Sequence, residues 1–170
     1  MSQDNSDKSD RKAVLIKLLK DFSAVMFITL SDDGQIGLRP MQVVKSSEDG
    51  VLWFVTSRDS EKVADAKQQD AVYISGQSGD SVFIAARGRP EFYSDNETKE
   101  RLWSETMRVW FPKGLEDPNL CFIKVTITEG EYWNTAGLHK LSYVFESLRA
   151  YMSGTTPALD SKEQHGRVDL

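Results

Sequence analysis

Cysteine occurs once in 170 residues, at Cys121. One thiol cannot form an internal disulfide, so a cystine-stapled scaffold is excluded and a reducing, cytoplasmic setting is expected. A basic surplus is missing too: 21 Lys and Arg stand against 26 Asp and Glu, a net charge of −5. A general nucleic-acid binder carries a basic excess or a basic stripe, and neither is visible, so no nucleic-acid partner is expected. No apolar stretch approaches the roughly 20 residues that span a bilayer. Met1 to Asp10 is polar and has neither the basic start nor the apolar run of a signal peptide. The two histidines, His139 and His165, have no Cys or carboxylate at ligand spacing, so no metal site is expected.

What is present is ordinary for a globular chain: 39% hydrophobic and 28% charged residues. The length suits one domain and can bury a core without disulfides or metals. Residues 1–10 read as a disordered leader. Val14, Leu15, Leu18, Leu19 and Phe22 share one helical face, which predicts an amphipathic helix over Arg11 to Phe22.

The middle of the chain reads as strands. Ala24 to Leu30 is apolar and β-branched and ends at the turn Ser31-Asp32-Asp33-Gly34. Ile36 to Lys45 and Val51 to Thr56 follow, separated by Ser46 to Gly50. Pro40 lacks a donor N–H, so it predicts an edge or a bulge inside the second run. Ser60 to Gln68 reads as a short helix with Ser60 as N-cap. Ala71 to Gly76 and Ser81 to Tyr93 are further strands, joined by a turn at Ser78-Gly79-Asp80. Ser94-Asp95-Asn96-Glu97 has a capping-box pattern. It predicts a helix carrying Leu102, Trp103, Thr106, Met107 and Trp110 on one side, stopped by Phe111 to Gly114. Asn119 to Thr128 and, beyond Gly130, Glu131 to Trp133 are the last predicted strands. A helix from about Leu141 to Met152 and a loose tail from Gly154 to Gly166 complete the expectation. Six or seven hairpin-linked strands with peripheral helices indicate a small, closed, Greek-key-like barrel.

Two segments could carry chemistry. In the first, Val55, Thr56, Ser57, Arg58 and Ser60 lead straight into a helix bearing Lys62. A strand end, hydroxyls, a helix N-terminus and an ammonium together make a seat for a phosphate. The plainer alternative leaves Ser60 as a cap and Lys62 as a solvated side chain. In the second segment, Arg39 lies among Ile36, Leu38, Met41, Val43 and Val44, mainly apolar neighbours. A charge there needs a partner, either a ligand phosphate or a carboxylate from elsewhere in the chain. Cys121 lies in a predicted buried strand and reads as packing rather than nucleophile. Gly76 to Gly79 lacks the spacing of a dinucleotide fingerprint and reads as a turn.

The order Arg39-Pro40-Met41, Leu52-Trp53-Phe54-Val55-Thr56, Ser60 and Lys62 resembles the pyridoxamine 5'-phosphate oxidase-like superfamily, and within it the general stress protein 26 group. Trp103, Trp110 to Gly114, Asp117-Pro118, Glu131-Tyr132-Trp133 and the ending Gly166 to Leu170 extend the resemblance over roughly residues 12–170. The resemblance implies a mainly β split barrel over residues 11–153, with 154–170 as its C-terminal tail. It implies a homodimer with FMN, or alternatively FAD, at the subunit interface. It assigns Arg39 and Lys62 to the flavin phosphate, with Ser57 or Ser60 assisting. Pro40, Met41 and Gln42 would follow the isoalloxazine, Val55 and Thr56 would touch ring and ribityl chain, and Trp110 would close the pocket from the partner subunit.

The chain departs from the vitamin B6 oxidase pattern, because Glu131 to Asn134 is followed by Leu138-His139-Lys140 and no Arg cluster. No residue stands out as a substrate acid or base. The functions left open are a flavin-dependent oxidoreductase of unknown substrate, a flavin-binding sensor or store without turnover, and a small barrel acting through protein contacts alone.

Overall fold

The computed structural model describes residues 2–79, 81–134 and 165–170. Helix α1 spans Ser2–Lys20 and precedes a meander of β1 (Ala24–Leu30), β2 (Ile36–Ser46) and β3 (Val51–Ser57). Helix α2 (Glu61–Gln68) crosses to a second meander of β4 (Val72–Ser78), β5 (Val82–Tyr93) and β6 (Leu120–Asn134). Between β5 and β6 lie α3 (Asn96–Leu102) and two 3₁₀ turns, Glu105–Val109 and Gly114–Glu116. Strand β7 (His165–Asp169) ends the chain. The strand order is β3-β2-β1-β4-β5-β6-β7, and a β3–β6 ladder closes the first six into an antiparallel barrel with β7 as an extra strand. This is the expected mainly β split barrel with peripheral helices.

The short hairpins follow from turn chemistry. Gly34 and Gly50 hold φ of +80 and +81, a region that side chains avoid, and so fix the turns after β1 and β2. The barrel fills from alternating inward positions: Val25 and Phe27 on β1, Leu52 and Phe54 on β3, Val72 and Ile74 on β4. Leu15, Leu18, Leu19 and Phe22 of α1 pack into the same cluster. Strand β6 is apolar on both faces because both are covered. Ile123, Val125 and Ile127 face the barrel, while Leu120 and Phe122 join Val51, Trp53, Leu102, Met107 and Phe111 in a second cluster outside it.

Several expectations are corrected. The helix begins at Ser2 rather than Arg11, so most of the segment expected to be a disordered leader is helical. Strand β6 runs unbroken through Gly130, which pairs with Ala86 on one side and Val168 on the other. Gly130 does not end a strand. A Cβ there would overlap the Leu15 side chain, so the glycine lets α1 approach. The helix opened by Asp95, which accepts from the Thr98 amide, stops at Leu102. Trp103 is extended (φ −63, ψ 141), and the chain re-enters as 3₁₀ turns that send Met107 and Phe111 into the second cluster. Of the loose tail expected from Gly154 to Gly166, His165 and Gly166 belong to β7 (His165–Asp169), in which Val168 is buried, and the earlier part lies outside the described residues. The helix expected over Leu141 to Met152, His139 and Asp80 lie outside the described residues.

Phe54 is fully buried and meets Phe27 edge-on, with ring centroids 5.4 Å apart at 73°. Phe54→Ala should lower stability by about 3–5 kcal/mol, since the site cannot collapse around so large a cavity. Urea unfolding measures this. A loss under 1 kcal/mol would mean that the barrel centre is not packed as described.

Candidate functional site

Strand β2 pairs with β1 over Ile36–Gln42, but with β3 only at Val43, Lys45 and Ser46, with a register shift between Val43 and Lys45. The stretch Ile36–Gln42 therefore has one unpaired edge, which is where Pro40 fits without losing a ladder bond. The two strands part there, and a groove of about 730 Å³ opens between them.

Arg39 of β2 and Lys62 of α2 lie in this groove with Thr56 of β3. Lys62 Nζ donates to Thr56 Oγ1 at 3.0 Å, and the Ser60 hydroxyl lies 3.4 Å from the same oxygen. Arg39 Nη1 donates to the Thr29 hydroxyl at 3.2 Å, and Thr29 Oγ1 donates onward to Asp65 Oδ2 at 3.1 Å. Thr29 is buried, so this relay is shielded from water. Gly37 leaves space for the guanidinium, because a Cβ there would overlap it. No carboxylate forms an ion pair with either cation among the described residues. Burial, and then the Arg39 charge, hold the Lys62 ammonium below its usual pKa. Two like charges face one cavity with hydroxyls as their nearest partners, which favours an anion between them.

Helix α2 adds its N-terminus. Ser60 is the N-cap by backbone position, yet its side chain makes no capping bond. The Val63 and Ala64 N–H groups donate to the Ser60 carbonyl at 2.9 and 3.2 Å, which leaves those of Glu61 and Lys62 at the start of the helix.

The facing wall comes from the segment after α3. Trp110, Phe111 and Pro112 line it, with Asp117 and Asn119 beyond. Phe111 is anchored in the second cluster, whereas Trp110 is 67% exposed and presents an open indole. Arg108 steadies this wall. Its Nη1 donates to the Pro112 carbonyl at 3.3 Å, and its Nε and Nη2 grip the Glu105 carboxylate at 2.7 and 3.0 Å. That grip, helped by the Trp103 indole N–H, lowers the Glu105 pKa to about 2.

The structure thus gathers Arg39, Pro40, Met41, Gln42, Val55, Thr56, Ser57, Lys62 and Trp110 around one groove. Ser60 stands behind its lining, against Thr56. Trp110 lines the groove of its own chain. Its 3₁₀ turn is held to β3 by Met107 and Phe111. Sequence reasoning missed Phe111, Pro112, Asp117 and Asn119 as lining, and Thr29 and Asp65 as the support behind Arg39. Thr29 and Asp65 carry no local signal, since only the β1–β2 pairing and the packing of α2 on β1 bring them together. Among the described residues no three His, Cys, Asp or Glu side chains converge as metal ligands.

Residues 10–158 match the family described as pyridoxamine 5'-phosphate oxidase like. No curated protein matches the chain. Among solved structures, the general stress FMN/FAD binding protein of Xanthomonas citri is 27% identical over 74% of this chain and 89% of its own, with a TM-score of 0.62. The general stress protein 26 of Bacillus anthracis is 24% identical over 71% and 92%, with a TM-score of 0.61. A Clostridium acetobutylicum protein related to general stress protein 26 is 21% identical over 74% and 90%, with a TM-score of 0.64. At these last two identities the likeness is one of fold.

Because Arg39 contributes to the lowered Lys62 pKa, Arg39→Met should move that pKa upward without restoring it fully, since burial remains. The folded chain binds this proton more weakly than the unfolded chain. Stability from Lys62 therefore rises as pH climbs from the lowered value towards the ordinary 10.5. Side-chain ¹⁵N titration of Lys62 in both proteins measures the shift, and identical midpoints would separate the two cations.

Proposed function

This chain belongs to the pyridoxamine 5'-phosphate oxidase-like family, and on that premise we propose that it is an FMN-binding, stress-related flavoprotein acting as a flavin-dependent oxidoreductase. The observation that carries this reading is the pair Arg39 and Lys62, which share the groove and lack a neutralising carboxylate among the described residues. A phosphate monoester supplies the missing charge. Thr56, Ser57 and the first turn of α2 offer it hydrogen bonds, and the apolar stretch from Pro40 to Met41 and Val55, with Trp110 opposite, suits a flat ring. The volume lies within the usual range for cofactor clefts. The Xanthomonas citri relative, named for binding FMN and FAD, supports a flavin here. FAD shares the phosphate and ring contacts and is the alternative cofactor.

When bound, the flavin supplies the electron transfer itself. The chain's own residues bind, orient and shield it. Arg39 and Lys62 neutralise the phosphate, Thr29 and Asp65 hold the guanidinium in place, and Phe111 and Pro112 exclude water from the far wall. The titratable groups in the groove, among the described residues, are Arg39, Lys62 and Asp117. Asp117 accepts from the Asn119 amide at 3.0 Å. That scarcity of acids and bases favours, as a second reading, a flavin-binding sensor or store without turnover.

A second copy of the chain is the proposed partner. Outward positions on β2, β1 and β4 form an apolar face of Ile36, Leu38, Met26 and Tyr73, continuous with Pro40 at the groove rim. An exposed apolar face of this kind marks an association surface. Covering it would also close the open side of the groove. The single thiol, Cys121, is buried and fits a cytoplasmic location.

Purified protein should be yellow. Arg39→Ala and Lys62→Ala should each weaken FMN binding roughly 10- to 100-fold, the loss expected for a charge-assisted hydrogen bond. A colourless protein that ignores added FMN would refute the flavin reading. Anaerobic NADH or NADPH separates the two functions: bleaching of the bound flavin indicates an enzyme, and inertness to both indicates a binder. Leu38→Asp should shift the sedimenting species from dimer to monomer and loosen FMN. A wild-type monomer that holds FMN tightly would exclude the second copy.

A further inference from the structure

Lys99 is the one buried Lys or Arg among the described residues, at 7% exposure. It lies in the last turn of α3 and forms no salt bridge with any of the described residues. Its ammonium donates to the carbonyls of Leu115 at 3.4 Å and Asp117 at 3.3 Å, at the end of the 3₁₀ turn Gly114–Glu116. Burying a charge with neutral acceptors costs solvation, and an apolar side chain of the same length would pack without that cost. The volume of Lys99 therefore does not account for its placement; its donors do.

The two carbonyls begin a chain of contacts that ends in the groove. Asp117 is buried, and its Oδ1 accepts from the Asn119 amide at 3.0 Å. The Asn119 carbonyl accepts from the Arg58 amide at 2.8 Å, and the Ser57 carbonyl accepts from the Ser60 amide at 3.1 Å. The turn that Lys99 holds thus meets the backbone joining β3 to α2, the stretch between Ser57 and Lys62. We propose that Lys99 is a positioning residue: from behind the groove it clamps the Gly114–Asn119 turn, and through Asn119 it sets the strand end that receives the phosphate. The ligand half of this proposal rests on the flavin reading, whereas the backbone half does not.

The test uses the full chain and two readouts. Amide hydrogen exchange without added ligand reports the clamp. Lys99→Met should speed exchange at Asn119 and Arg58 at least tenfold. Flavin fluorescence reports its use, and the same variant should raise the Kd for FMN at least tenfold. Lys99→Arg keeps donors at the same depth and should hold both values within threefold of wild type. Val168→Ala, a core cavity on β7 far from the groove, controls for general destabilisation and should leave FMN affinity unchanged. If Lys99→Met does not fold, Lys99→Leu carries the same comparison. Unchanged exchange at Asn119 and Arg58 in a folded apolar variant overturns the proposal. So does a Lys99→Arg protein that behaves like Lys99→Met, or a Val168→Ala protein that loses FMN as severely. If wild-type protein takes up no FMN, the flavin reading falls and the exchange data still decide the role of Lys99.

Discussion

Between Ile36 and Gln42, strand β2 hydrogen-bonds to β1 and leaves its other edge free. A sheet edge normally exposes unpaired donors and acceptors that invite aggregation. Here Pro40 removes one donor, and the parting from β3 turns the edge into the wall of a groove. Closure is achieved elsewhere, by the β3–β6 ladder over Val51 to Ser57. The barrel is thus continuous enough to keep Phe27 and Phe54 dry, yet split where Arg39 reaches inward.

That split brings two cations together. Arg39 arrives on β2 and Lys62 on α2, and each rests on a hydroxyl rather than a carboxylate. A purely structural pair would be neutralised within the chain. The acid behind Arg39, Asp65, bonds to Thr29 and positions the guanidinium through that hydroxyl without pairing with it. The seat therefore keeps its positive charge within a protein whose net charge is −5. Local geometry, not overall charge, decides what such a site attracts.

The opposite wall depends on the second apolar cluster. Met107 and Phe111 pack on Val51 and Trp53, on the outer face of the same strand whose inner face carries Phe54. Strand β3 thus serves the barrel core, the outer cluster and the groove floor at once. Arg108 grips the wall from the solvent side and Lys99 from beneath. Both cations act on backbone carbonyls, so side chains at the groove remain free to meet a ligand.

The sequence by itself determined the elements whose signals are local. Alternation, β-branching and turn glycines placed β1 to β5 within about two residues, because hairpin register follows from the chain on either side of the turn. The strand end, hydroxyls and Lys62 marked the proposed phosphate seat, since a helix start and its neighbours are contiguous in the chain. Family resemblance named most of the groove lining. Tertiary structure alone decided the rest. Gly130 resembles a strand break in the sequence, yet in the fold it makes room for Leu15 of α1. The helix after Asp95 stopped early because Met107 and Phe111 are drawn into a cluster built from distant strands. Trp110 joined its own chain's groove for the same reason. Thr29, Asp65, Asp117 and Lys99 have roles set by contacts across 10 to 36 positions. Such contacts leave no periodicity in the sequence, because what fixes them is the closure of the barrel and not the conformation of neighbouring residues.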